Sequence, residues 1–148
     1  HPDLARWMAG DGPLRGELED RAKASSAADR IRFLGPLADT NRHLQAADAY
    51  LHTADAEGLP LAVLEAMSAG AAVAASRIGG IVDVVAEGKT GFLFDAGSVE
   101  GAAALLRALD AGDGIRGAAR AAIEARFSLR GTADRYIALF SELAGGRG

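Results

Sequence analysis

The sequence predicts an α/β fold: a parallel sheet with helices on both faces, ending in helices. Three observations lead there. Short apolar runs alternate with segments of helical patterning about 10–15 residues long, the order of βαβ units whose crossovers are right-handed. Glycine and proline clusters punctuate the ends of those runs, at Gly10-Asp11-Gly12-Pro13, Gly35-Pro36, Gly58-Leu59-Pro60 and Gly79-Gly80. From Ser98 onward the patterning is helical only. With 148 residues, the chain is expected to form one domain burying about two-thirds of its unfolded surface. Its 49% hydrophobic and 24% charged residues place it among globular chains. A formal charge of −4 argues against a nucleic-acid surface, which needs clustered Lys and Arg. The absence of cysteine excludes disulfides, thiol catalysis and cysteine metal sites.

The elements follow in order. Leu4 to Ala9 is a short apolar run stopped by Gly10-Asp11-Gly12-Pro13. Leu14 to Ser25 reads as a charged helix with Leu14 and Leu18 one turn apart. Ile31 to Leu34 is a buried strand closed by Gly35-Pro36, and Thr40 caps a short helix through Ala46. Ala49 to His52 is the next strand. A helix from Pro60 to Gly70 follows, then a small-residue strand from Ala72 to Ala75. Gly79-Gly80 opens a short helix to Val85, and Gly88-Lys89-Thr90-Gly91 turns into the strand Phe92 to Phe94. Ser98 caps a helix from Val99 to Leu109, a second covers about 115–126, and Ser128 caps a third from Leu129 to Leu143. The Gly-rich residues 144–148 read as a flexible tail.

The segment Glu57-Gly58-Leu59-Pro60-Leu61-Ala62-Val63-Leu64-Glu65 carries the chemistry. Pro60 suits a first helical position, because its ring fixes φ and its missing N–H is no loss there. Gly70 suits the left-handed residue beyond the helix end. At helical spacing Leu61, Leu64, Glu65 and Ser68 share one stripe, expected to face inward. Glu57 stands ahead of the N–H groups of Leu61, Ala62 and Val63, and open donors at a helix start attract phosphate. Two acids bracketing such a place suggest a phosphorylated ligand that also carries hydroxyls. Ligands of open parallel sheets bind beyond the carboxyl ends of strands. Gly10–Gly12, Gly35–Leu37, Glu57–Leu61 and Gly79-Gly80 all stand at such ends, so a single crevice is expected.

These pieces, with Arg32-Phe33-Leu34-Gly35, Glu65-Ala66-Met67 and Thr90-Gly91-Phe92-Leu93, are similar in order and spacing to the donor-binding half of retaining GT-B glycosyltransferases of the "group one" type. The resemblance covers nearly the whole chain. It implies a Rossmann-like C-terminal half of a GT-B fold that moves a sugar from a nucleoside diphosphate sugar to an acceptor hydroxyl, of hexosyltransferase type. Glu57 would be the catalytic acid, lying against the transferred sugar and supporting charge at the reaction centre. Glu65 would hold ribose hydroxyls. Gly58, Leu59, Pro60 and Leu61 would bring backbone to the sugar hydroxyls and diphosphate, and Leu37 would meet the base. Gly10 and Gly12 would rim the donor pocket, with Gly79 and Gly80 beside it. The family generally works without metal, so no cofactor is expected beyond the donor itself. Three departures limit the transfer: Pro60 where many relatives have Gly, Ala54 in place of Ser, and Ala72 in place of Pro.

The chain begins with His1-Pro2-Asp3 and reads as a piece of a longer protein. On the resemblance, residues 1–143 form the nucleotide-sugar domain. Its first strand and helix, with the basic clamp for the diphosphate, and the whole acceptor domain are expected upstream, so this chain alone is expected to be inactive. No apolar run reaches the ~20 residues of a membrane span, and a cytoplasmic location is expected. Membrane association of the full-length protein stays open.

Plainer readings stand beside these. Glu57 could be only a favourable acid at a helix end, worth about 0.3–1 kcal/mol. Glu65 could pair with Arg77. The glycine pair could be only a turn. Gly10-Asp11-Gly12-Pro13 is not a dinucleotide fingerprint, since the third glycine is missing. His1, His43 and His52 have no partners at metal-ligand spacing and read as surface or packing residues. Phe33, Phe92 and Phe94 read as core. The apolar positions Ile137, Phe140 and Leu143 fit packing within the domain or contact with the upstream half. The rival functional classes are a non-catalytic lobe used for nucleotide sensing or protein interaction, and a GT-B-type epimerase or phosphorylase.

Overall fold

The computed structural model describes residues 4–110 and 112–145. The chain divides into two compact units, His1–Thr40 and Asn41–Gly148. In the first, strand β1 (Arg6–Ala9) pairs in parallel with β2 (Ile31–Gly35), Arg6 opposite Ile31 and Met8 opposite Phe33, with a register shift before Ala9. Helix α1 (Arg15–Lys23) links them. It buries no residue, and its surface carries ion pairs one turn apart, Arg15–Glu19 at 2.8 Å and Arg21–Glu17 at 2.9 Å. Such pairs support helices by only a few tenths of a kcal/mol each, about 0.2–0.5. The expected helix from Leu14 to Ser25 is trimmed at both ends.

The second unit carries the sheet predicted from the alternation: β3 (Ala49–His52), β4 (Ala72–Ser76) and β5 (Phe92–Phe94), in spatial order β3-β4-β5 and parallel throughout. Strand β4 is central and every residue of it is buried. Its side chains alternate between two cores, as pleating requires. Val73 and Ala75 pack with α3 (Leu61–Ala69), α4 (Ile81–Val84) and α6 (Gly112–Phe127), through Val63, Ala66, Met67, Ile81, Val84, Ala119 and Ile123. Ala72 and Ala74 face Phe94 together with Ala104 and Ala108 of α5 (Gly101–Asp110). Helices therefore cover both faces of this sheet, and alanine on β4 lets α5 approach closely. Helix α2 (Thr40–Ala46) straddles the division between the units, and α7 (Leu129–Gly145) closes the chain.

Several boundaries differ from expectation for local reasons. Helix α5 begins at Gly101, not Val99, and ahead of it the Ser98 N–H closes a turn onto the Asp95 carbonyl at 3.1 Å. Ser128 does cap α7, its Oγ accepting from the Gly131 N–H at 3.2 Å. That helix continues two residues beyond the expected end at Leu143, and residues 146–148 lie outside the described ones. Its Ile137, Phe140 and Leu143 are exposed. Phe94 is in the core, while Phe33 and Phe92 are half-buried.

The largest correction concerns α3. Its inward stripe is Val63, Ala66 and Met67, each fully buried, whereas Leu61 is 60% exposed and Glu65 and Ser68 face solvent. Both stripes are spaced three or four residues apart, so periodicity alone does not choose between them. The acid settles it: an ionised carboxylate left in a dry core is far costlier than an exposed leucine.

Candidate functional site

The loop from the end of β3 to α3 carries Glu57, Gly58 and Leu59. Pro60 is the residue before the helix, not its first residue, with φ −78° and ψ 72°. It is fully buried, and its carbonyl accepts the N–H groups of Val63 and Leu64, both at 3.0 Å. The Leu61 N–H donates to the Leu59 carbonyl at 2.9 Å. Two of the three N–H groups expected to be open, those of Leu61 and Val63, are thus already engaged within the turn. At the other end Gly70 is left-handed, φ 87°, as anticipated for a helix stop.

The turn after β4 lies directly against this loop. The Gly80 N–H donates to the Glu57 carbonyl at 3.2 Å. A β-carbon at Gly79 would overlap the Glu57 carbonyl oxygen, and one at Gly80 would overlap that of Gly58 and stand 3.3 Å from the Pro60 ring. The glycine pair is therefore more than a turn: it is the surface on which the acid-bearing backbone rests.

On its other side Glu57 meets strand β3. Tyr50 and His52 are two residues apart on that strand and share a face. The Tyr50 hydroxyl lies 3.1 Å from His52 Nδ1, and His52 Nε2 stands 3.7 Å from Oε2 of Glu57. Both partners of that last contact are largely enclosed, with side-chain exposures of 16% and 27%. The main chain of His52 is tied to the central strand, since its carbonyl accepts the Ser76 hydroxyl at 3.3 Å. Burial, and then the negative charges of Glu65 and Glu57, push the Tyr50 phenol above its ordinary pKa. One hydroxyl thus senses both acids. Neither Tyr50 nor His52 was singled out from the sequence. The available signal was their period-two spacing, ending at the carboxyl end of a strand just before the acid.

Glu65 sits one turn into α3 on its solvent side, and Arg77 lies 3.5 Å from Glu87. Glu87 also accepts the Leu93 N–H at 2.6 Å, fixing the entry to β5. Glu57, Gly58, Leu59, Pro60, Leu61, Glu65, Gly79 and Gly80 all belong to the second unit. Gly10, Gly12 and Leu37 belong to the first. There the Gly10 N–H donates to the Gly35 carbonyl at 2.8 Å, and the Gly12 N–H to the Asp11 side chain at 2.8 Å. Leu37 follows β2 and is half-buried. His43 lies on α2, and His1 is outside the described residues. Among the described residues no cluster of three or more His, Cys, Asp or Glu could hold a metal ion. Nor is any helix among them long and apolar enough to cross a membrane.

The chain is similar to known proteins in sequence and in fold. The chain is 40% identical over 113 residues to sulfoquinovosyl transferase SQD2 of Arabidopsis thaliana, which covers 73% of this chain and 21% of that protein. It is 31% identical over 138 residues to the lipopolysaccharide core biosynthesis glycosyltransferase LpsD of Rhizobium meliloti, covering 90% and 40%. The fold matches Anabaena Alr3699/HepE crystallised with UDP-glucose at a TM-score of 0.85 and 25% identity, over 96% of this chain and 42% of that one. The chain thus spans less than half the length of these relatives. The family model described as "Glycosyl transferases group 1" matches residues 1–124. With its parallel sheets, its acid-bearing loop and this match, the chain belongs to the group 1 glycosyl transferases.

Proposed function

We propose that this chain is the donor-binding lobe of a retaining glycosyltransferase, which moves a sugar from a nucleoside diphosphate to an acceptor hydroxyl. The observation that carries the reading is the seating of Glu57. Its backbone rests on Gly79-Gly80, its carboxylate faces His52, and α3 starts four residues on, at Leu61. A transferase of this kind must stabilise a departing diphosphate and an oxocarbenium-like sugar. The positive end of the α3 dipole serves the diphosphate, with backbone from Gly58 to Leu61 approaching it. Glu57 serves the sugar, and Glu65, displayed to solvent one turn into the helix, takes the ribose hydroxyls. On the resemblance alone, Leu37 is assigned to the base and Gly10 and Gly12 to a loop rimming the donor pocket. The reaction needs no metal, and the acceptor is bound by a separate N-terminal domain of the full-length protein, acting in the cytoplasm. Because HepE was crystallised with UDP-glucose, a uridine donor is the first to test.

The test is a calorimetric titration of the chain with UDP, GDP and ADP. One nucleotide, UDP first, is expected to bind saturably. Glu65→Ala is expected to weaken that binding by about 1–3 kcal/mol, the cost of leaving ligand hydroxyls unpaired. Unchanged affinity in the variant removes Glu65 from its assigned role. Failure of all three nucleotides to bind leaves an indispensable upstream basic clamp or a non-catalytic lobe, and the same titration of the full-length protein decides between them. Binding there retains the donor reading, and its absence there favours the non-catalytic lobe.

A further inference from the structure

His52 has an unusual setting for a histidine with no metal partners. Its Nε2 is sealed from water and makes no hydrogen bond, yet it points toward a carboxylate oxygen 3.7 Å away. Its other ring nitrogen meets the Tyr50 hydroxyl at 3.1 Å. A neutral imidazole carries its proton on one nitrogen or the other. With the proton on Nδ1, the bare lone pair of Nε2 would face the Glu57 carboxylate, two acceptors opposed. With the proton on Nε2, the Tyr50 hydroxyl donates to Nδ1 and an N–H faces the carboxylate. Only the second arrangement is attractive at both ends. Burial and the two neighbouring acids also keep Tyr50 protonated, and so able to donate.

We propose that His52 is a positioning residue for Glu57: Tyr50 fixes its Nε2–H tautomer, and that N–H holds the Glu57 carboxylate toward the bound sugar. The sugar-facing consequence rests on the donor-lobe reading, whereas the coupling of the three side chains does not. At 3.7 Å the present contact is electrostatic. It closes to a hydrogen bond when donor displaces water from the loop, as contacts in unliganded active sites commonly do.

The experiment is a long-range proton–nitrogen NMR correlation of the imidazoles in the nitrogen-15-labelled chain, with His52 assigned by its loss in His52→Gln. The expected result is a protonated Nε2 and a bare Nδ1, shifting to a mixture of tautomers in Tyr50→Phe. The side-chain carboxyl carbon resonance of Glu57 is expected to move in His52→Leu and to return in His52→Gln, whose amide N–H replaces Nε2–H. A protonated Nδ1, or a Glu57 resonance indifferent to His52→Leu, overturns the proposal. Should His52→Leu fail to fold, the wild-type tautomer and the Tyr50→Phe response decide. For function, the affinity gain of UDP-glucose over UDP should fall about tenfold in His52→Leu and recover in His52→Gln, with UDP alone unaffected. If no nucleotide binds even to the full-length protein, the donor reading fails separately, and the NMR result still decides the coupling.

Discussion

At Gly80 the space for a β-carbon is already filled by the Gly58 carbonyl. Gly80→Ala must therefore displace the acid-bearing loop, and we expect a loss of about 1–3 kcal/mol in urea unfolding, the usual cost of overpacking. A second prediction comes from Tyr50, whose phenol is held above its ordinary value by burial, Glu65 and Glu57. A raised folded-state pKa contributes stability that is complete below the unfolded value of about 10 and is lost as pH rises through the folded one. Urea midpoints should thus fall less steeply above pH ~10 in Tyr50→Phe than in the parent chain. A wild-type-like alkaline slope in the variant would refute it. The place of Glu57 in the turn ahead of the helix was legible, because a proline and a glycine stop frame that helix, whereas Glu65 was read onto the inward stripe and lies on the exposed face. His52 was not legible, since a single histidine among apolar residues reads as packing until the fold shows what faces its ring.

The helix between the acids shows why elements are easier to find than to orient. Its limits followed from Pro60 and Gly70 to within one residue, yet its buried face was read from the wrong stripe. Leu61 and Leu64 outweigh Val63 and Ala66 in bulk, and bulk is a poor guide where small residues pack against a close sheet. Two substitutions separate the stripes. Met67→Ala, at a fully buried position, should cost about 2–5 kcal/mol. Leu61→Ala, at a 60% exposed one, should change stability by less than about 0.5 kcal/mol. Comparable costs would mean that the helix packs by the other face. The start of α5 was misplaced by two residues: the chain makes a turn between Asp95 and Ser98 before the helix opens at Gly101, which spacing does not reveal.

On the scale of the molecule, the α/β class was readable because alternating runs and turn clusters report topology independently of exact boundaries. What composition could not show is where stability is concentrated. Strand β4 is buried throughout and paired on both sides, whereas Arg6, Trp7 and Ala9 of β1 are exposed. Amide hydrogen exchange should accordingly be slowest in β4 and several orders of magnitude faster in the β1–β2 pair. Equal protection would show that the two units open together. The close fit of Gly79-Gly80 under Glu57 and Gly58 also bears on how this site could be transplanted. The linear run from Glu57 to Glu65 is not the portable unit. Grafted into another scaffold without the turn from Ser76 to Ile81, it would keep its residues and lose its floor, so a working transplant has to carry two separate stretches of chain.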